Sequence, residues 1–186
     1  MEGRELDERL TLPVLPDLAG VVQLRAGGVC QVDSVSLALD VMAGPSQAGT
    51  WCGVVGVPDL GVLAAAERGI NLERTVLVPD PGELWLEATA ALVDVLGLVV
   101  LKPPVRVSES LAAKLGARLR KREAALVALV DGRSEWPRAE VRLRTESVRW
   151  SGLELGEGHL RDRRVAVLSQ CGGAPARRAM LGAGAA

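Results

Sequence analysis

The sequence predicts an α/β layered domain with a mostly parallel central sheet and antiparallel strands at its edge. Three observations predict it. Short apolar, β-branched runs such as Thr50–Val57 and Leu98–Leu101 have the make-up of buried strands. Between them lie helix-length segments with apolar residues at helical spacing. From Glu140 onward strands follow one another without helices, which is how antiparallel edges are built.

Each element has its own justification. Gly20–Ala26 reads as the first buried strand and Gly27-Gly28 as a turn. Asp33 to Met42 reads as a helix, capped by the Asp33 carboxylate and ended at Gly44-Pro45. Thr50–Val57 is the next strand, and Leu60–Arg68 a helix capped by Asp59 and closed by Gly69. Thr75–Val78 is a strand before the turn Pro79-Asp-Pro-Gly82. Glu83–Leu96 reads as a helix with Leu84, Ala88, Leu92 and Val95 inward, followed by the strand Leu98–Leu101. Ser108 caps a helix to about Glu123, with Leu111, Leu115 and Leu119 as its apolar stripe. Ala125–Val130 is a strand, Glu140–Thr145 alternates like a strand with one wet face, and Arg164–Ser169 is the last strand. Residues 1–170 form one domain, with residues 1–16 as an N-terminal extension in which Glu5–Leu12 can turn into a helix. Residues 171–186, rich in Gly, Ala and Arg, read as a flexible tail.

The stretch from Gly20 to Val57 has the outline of a phosphate-binding loop: strand, glycine turn, helix, strand. That loop requires G-x-x-x-x-G-K-[ST], whose amides cradle phosphate while Lys neutralises it and a hydroxyl holds Mg²⁺. Counted from Gly28, the closing positions are Asp33, Ser34 and Val35. The Lys is missing, Val35 has no hydroxyl, and Asp33 repels a triphosphate. Gly27, Gly28, Asp33, Ser34 and Val35 therefore read as a degenerate P-loop without tight nucleotide binding.

Composition narrows the function classes. The net charge of −1 excludes a chain-wide electrostatic grip on nucleic acid. Hydrophobic residues reach 48%, enough for a sizeable core, yet Phe and Tyr are absent, leaving aliphatic residues and four Trp to fill it. No apolar run approaches the ~20 residues of a membrane span, and no signal-peptide pattern opens the chain, so a cytoplasmic protein is expected. Cys30, Cys52 and Cys171 lack C-x-x-C spacing and read as reduced, buried thiols. His159 with Cys30 or Cys171 has no metal-ligand spacing, so no metal is expected.

From Thr50 to Val100 the chain resembles the core of the RecA recombinase family. The strand Thr50–Val57, the helix after it and the run Gly69–Val78 resemble the family's second strand and the segment behind it. Pro79-Asp-Pro-Gly-Glu83 resembles its acidic turn, and Ser36–Leu39 the helix after its phosphate loop; the resemblance covers about residues 17–130. The family's phosphate-binding Lys falls at Ser34 and its Mg²⁺ hydroxyl at Val35. Its water-activating Glu falls at Val57, and its metal-linked Asp near Leu101 or Lys102. The resemblance therefore implies a RecA-like three-layer fold with no catalytic residue, no cofactor and no enzymatic activity.

A shortened, inactive RecA core resembles the ImuA/SulA branch, and best its ImuA-type accessory proteins of mutagenic repair. That implies a non-catalytic adaptor of a DNA-damage-induced (SOS) translesion synthesis complex, nucleoid-associated on damage. Its direct partner would be an ImuB-type inactive Y-family polymerase homologue, in one complex with an error-prone C-family DNA polymerase. The alternatives are a SulA-like inhibitor of cell division and a RecA-like mediator with residual nucleotide or DNA binding. In the RecA family a preceding segment lies along the second strand of the next protomer. The partner-binding positions implied are Thr50, Trp51, Cys52, Val54, Val55 and Val57, with Ala64 beside them, giving a heterodimer rather than a filament.

Lys114, Arg118, Arg120, Lys121 and Arg122 crowd one helix end, where cations complement the macrodipole. They read either as a solvated helix end or as a weak, non-specific DNA contact. The stripe Arg142, Arg144, Arg149 has the same two readings. Trp51 and Trp85 read as core anchors, and Trp136 or Trp150 as an interface anchor.

Overall fold

The computed structural model describes residues 10–130, 135–154 and 157–183, the side chains of residues 151–162 and of Ala183 excepted. Six parallel strands form the centre. They are β3 (Val29–Val32), β4 (Cys52–Val55), β5 (Thr75–Val78), β6 (Leu98–Leu101), β7 (Ala125–Leu129) and the start of β8 (Val141–Glu154). β9 (Glu157–Cys171) and β10 (Arg177–Ala183) continue the sheet antiparallel, in the order β10-β9-β8-β3-β7-β6-β4-β5. A small antiparallel pair, β1 (Thr11–Leu12) and β2 (Leu24–Arg25), precedes β3.

Helices cover both faces, because the central strands are apolar on both sides. Cys30, Val32, Val54 and Val100 pack toward α1 (Val35–Gln47) and α2 (Val62–Glu67). Val29, Val55, Val99 and Leu101 pack toward α3 (Trp85–Val93) and α4 (Glu109–Arg122). The α4 stripe falls as its spacing predicts. Leu115 and Leu119 are buried, and Leu111 packs partly against them. The Ser108 hydroxyl accepts the Leu111 N–H at 3.3 Å, and Glu123 closes the helix in the left-handed region.

Several expectations change. The first core strand is Val29–Val32, not Gly20–Ala26. Val21 and Val22 both donate to the Leu18 carbonyl, at 3.0 and 2.9 Å, so their apolar run is spent on a tight turn. α1 runs through Gly44 and Pro45 to Gln47 instead of stopping there. Pro45 sits in the last turn, where it cannot donate to the Val41 carbonyl, and the helix continues only two residues past it. Gly44 is a crossing point: a Cβ there would lie 2.6 Å from the Val14 Cα, so the N-terminal segment passes directly over α1. Ser34, not Asp33, caps α1, accepting the Leu37 N–H at 3.3 Å. The residue before α2 is Gly61, so Asp59 is not its cap. In α3 the fully buried residues are Trp85, Thr89 and Val93; of those expected inward, Leu92 packs partly against the core, Ala88 is half-buried, and Leu84 and Val95 are exposed. Trp51 is 49% exposed and so is not a core anchor, Trp85 is buried, and of the two interface candidates Trp136 is buried while Trp150 is exposed.

The end of the chain also differs. The expected tail contains β10, whose Leu181 is buried opposite Val165. β8 and β9 run far beyond the expected strands and form a long hairpin with bulges after Thr145 and Ser151. The proposed helix over Glu5–Leu12 lies mostly outside the described residues, and Thr11–Leu12 is strand. No helix among the described residues is long and apolar enough to cross a membrane.

Candidate functional site

Open α/β sheets bind ligands outside the carboxyl ends of their strands, where the strand order switches direction. Here that place is β3. The chain leaves it for β4 on one side, while β8 pairs with its other side. A cavity of about 390 Å³ opens there, beyond the ends of β3, β6 and β7. Asp33, Ser34, Lys102, Arg106, Glu135 and Trp136 are among the residues that line it.

Two residues, Asp33 and Ser34, join β3 to α1. Both carboxylate oxygens of Asp33 are engaged: one accepts the Thr145 N–H at 2.7 Å, the other the Thr145 hydroxyl at 3.1 Å. The carboxylate thus ties the link to β8. Ser34 is occupied in capping. Gly27 and Gly28 lie at the opposite end of β3, where Gly27 N–H donates to the Ala124 carbonyl at 2.8 Å. A full strand separates these glycines from Asp33, Ser34 and Val35, so the five residues do not form one loop. Gly27 has φ +79, and a Cβ there would press on Arg120 of α4 at 2.7 Å; the turn is needed for strand-to-helix packing.

The other catalytic alignments end on apolar or unpaired groups. Val57 is buried. Leu101 is fully buried at the end of β6, and Lys102 follows it into the cavity. Among the described residues no cluster of His, Cys, Asp and Glu could hold a metal. His159 lies on β9, with its side chain outside the described residues. Of the lining residues, Trp136 donates its backbone N–H to the buried Gln31 side chain at 2.8 Å, and Glu135 pairs with Arg144 at 3.1 Å. The cavity therefore holds two cations, two engaged acids and a tryptophan, a set suited to polar contact.

The expected partner strand is not an edge. β4 pairs with β5 on one side and β6 on the other, so Cys52, Val54 and Val55 are buried and no segment can add beside them. Thr50 and Trp51 precede β4, Val57 follows it buried, and Ala64 is half-buried on α2, where its carbonyl accepts from Arg68 at 2.8 Å. The sheet ends at β5 instead. Leu77 on it is 39% exposed, and Leu63 of α2 and Leu72 just ahead of β5 are exposed too.

The basic helix end is partly neutralised. Arg118 grips both oxygens of Asp94, at 2.8 and 2.6 Å, and Arg122 adds a bond at 3.1 Å. The Arg118 hydrogen bond foremost, with that of Arg122, holds the Asp94 carboxyl down to about 2. Arg120 lies against Gly27, leaving Lys114 and Lys121 without an ion pair among the described residues. Cys30 and Cys52 are buried, and burial pushes both thiols up to about 12. Cys171 is exposed, contrary to expectation.

The sequence singles out Lys102 only as a position where the family's metal-linked Asp is lost, and it does not single out Arg106 or Glu135. One signal pointed to Lys102: it is the first residue after a buried parallel strand, where site residues cluster.

Residues 14–138, more than half of the chain, match the MT3502 N-terminal domain family, a span that runs from β2 through β7 and ends ahead of β8. The chain is also similar to "Uncharacterized protein Rv3395c" of Mycobacterium tuberculosis (strain ATCC 25618 / H37Rv), with 38% identity over 139 residues, 74% of this chain. It spans 65% of the length of that relative. The family match takes in the strands β2 to β7 and the helices between them, and the chain belongs to the MT3502 N-terminal domain family.

Proposed function

We propose that the protein is a non-catalytic adaptor of a translesion synthesis complex, built on a RecA-like core of the ImuA/SulA branch. The observation that carries this reading is the Asp33–Ser34 link. In a phosphate-binding loop several consecutive amides wrap the phosphates. A link of two residues, one capping a helix and the other bound to Thr145, offers no such wrap. Ser34, Val35 and Val57 also supply none of the groups that phosphoryl transfer needs. Such a core serves as a scaffold, and its P-loop is degenerate in length as well as in residues.

The surface offered to an ImuB-type partner is the outer edge of β5. An incoming strand finds unpaired main-chain groups there, with Leu77 on the edge and Leu63 and Leu72 exposed on the chain that leads into it. Affinity capture of the tagged protein from DNA-damaged cells tests the function. An ImuB-type polymerase homologue and an error-prone C-family polymerase are the expected companions. Recovery of the tubulin-like division protein in their place would overturn the adaptor reading in favour of the SulA-like one. Tight, Mg²⁺-dependent ATP binding would remove its non-catalytic premise.

A further inference from the structure

We propose that the solvent face of the β8–β9–β10 ribbon binds the phosphodiester backbone of nucleic acid. The register of the ribbon carries the proposal. Directly opposed residues of antiparallel strands share a face. Leu143, Val165, Val167 and Leu181 face the core. The outward rows are then Arg144–Leu168–Arg178, Ser147–Ala166–Met180 and Arg149–Arg164–Gly182. Arginines thus occupy the first and third of these rows, with Ser147, Ala166 and Met180 between; the rows that flank them on this face are Arg142–Gln170 and Ser151–Asp162.

The row Arg149–Arg164 is the unusual one. Two like charges stand directly opposite each other, an arrangement that destabilises a sheet. Both side chains are exposed, and neither has an acidic partner among the described residues. Arg144 and Arg178 are paired with Glu135 and Glu146, at 3.1 and 2.9 Å, on the exposed surface, where such pairs are weak and open readily to a competing anion.

Charge complementarity identifies the occupant. On β9 the two arginine rows pass through Arg164 and Leu168, four residues apart, so they stand ~13 Å from each other at strand rise. Repeated guanidinium rows on a ribbon suit a polyanion with regularly spaced charge, and the guanidinium fork suits phosphate oxygens. No aromatic residue lies in these outward rows, so bases have nothing to stack on and the contact is to the backbone, independent of sequence. The ribbon is at the opposite end of the sheet from β5, and the proposal does not rest on the partner reading.

Fluorescence anisotropy with a labelled mixed-sequence oligonucleotide, single-stranded in one arm and duplex in the other, tests it with the full chain across a salt series. The expected result is binding at low salt that weakens linearly on a log–log plot. Arg149→Gln with Arg164→Gln should weaken binding about tenfold at low salt and reduce the slope by about 1.4 on single strands or about 1.8 on duplex. Arg118→Gln with Arg122→Gln should leave the slope unchanged. Circular dichroism should show the ribbon variant folded, with a melting temperature no lower than the parent. If that variant does not fold, Arg149→Gln alone decides, with half the change in slope. No binding by the parent chain in either arm, an unchanged slope in the ribbon variant, or binding to anionic lipid vesicles in place of oligonucleotides would each overturn the proposal.

Discussion

Asp33 shows how one residue can be correctly noticed and wrongly placed. Its negative charge beside a helix start was visible in the sequence, but its partner, Thr145, lies on β8, far along the chain. Local pattern reads a carboxylate there as a cap, because capping needs only neighbours. The tertiary contact took the carboxylate, and the cap passed to Ser34. Hydrogen bonds to a charged group are each stronger than neutral ones, and removing Asp33 leaves the half-buried Thr145 N–H without its acceptor. Asp33→Ala should therefore lower stability by ~1–3 kcal/mol in urea unfolding, with the m-value unchanged. A loss near zero would mean that water replaces the carboxylate and that the tie to β8 is dispensable. The cysteines illustrate the same limit: buried Cys30 and Cys52 follow from their apolar strands, whereas exposed Cys171 depends on where β9 ends.

Helices were legible to the extent that their own sequence decides them. α4 carries its cap, its stripe and its cationic last turn within one segment, and it folds as read. α3 does not, because its first turn is 3-10 and rotates the inward face to Trp85, Thr89 and Val93. The two helices are joined by Asp94, which Arg118 and Arg122 both reach. With the folded carboxyl depressed from 3.8 to about 2, the contribution of this contact is complete above the unfolded value. It is lost as pH falls from about 4 through about 2, and it does not change on the alkaline side. An NMR titration of the Asp94 carboxyl should give a midpoint near 2. Arg118→Gln with Arg122→Gln should return it to the ordinary carboxylate range; a midpoint that stays low would assign the shift to another source.

At the scale of the molecule, the alternation of strand and helix gave the layers and the parallel sheet, but not which strands lie inside it. Thr50–Val57 looks like a sticky edge because it is apolar; its apolarity comes from having neighbours on both sides. Strand order depends on long-range pairing, which periodicity does not encode. The edge that results is β5, and it sets the expectation for assembly. Leu77→Glu with Leu63→Glu places charge on that edge and on the helix ahead of it without touching buried residues. Capture of the proposed ImuB-type partner should fall at least about tenfold, with circular dichroism unchanged, since charge on an exposed edge is a natural block to strand addition. Undiminished capture would move the interface elsewhere on the surface.

The position of β3 also governs how the chain comes to be folded as it is made. β3 is the first strand of the main sheet to be synthesised, yet both of its neighbours, β7 and β8, come roughly ninety residues later or more. At ribosomal rates of ~5–20 residues per second, its main-chain groups wait about 5–20 seconds for their partners. During that interval Val29–Val32 has no strand to pair with, and α1 has only the β4–β5–β6 part of the sheet to close on. A nascent chain stalled before Ala125 should accordingly depend on chaperones, whereas one released after the β8–β9 hairpin can complete the sheet by itself.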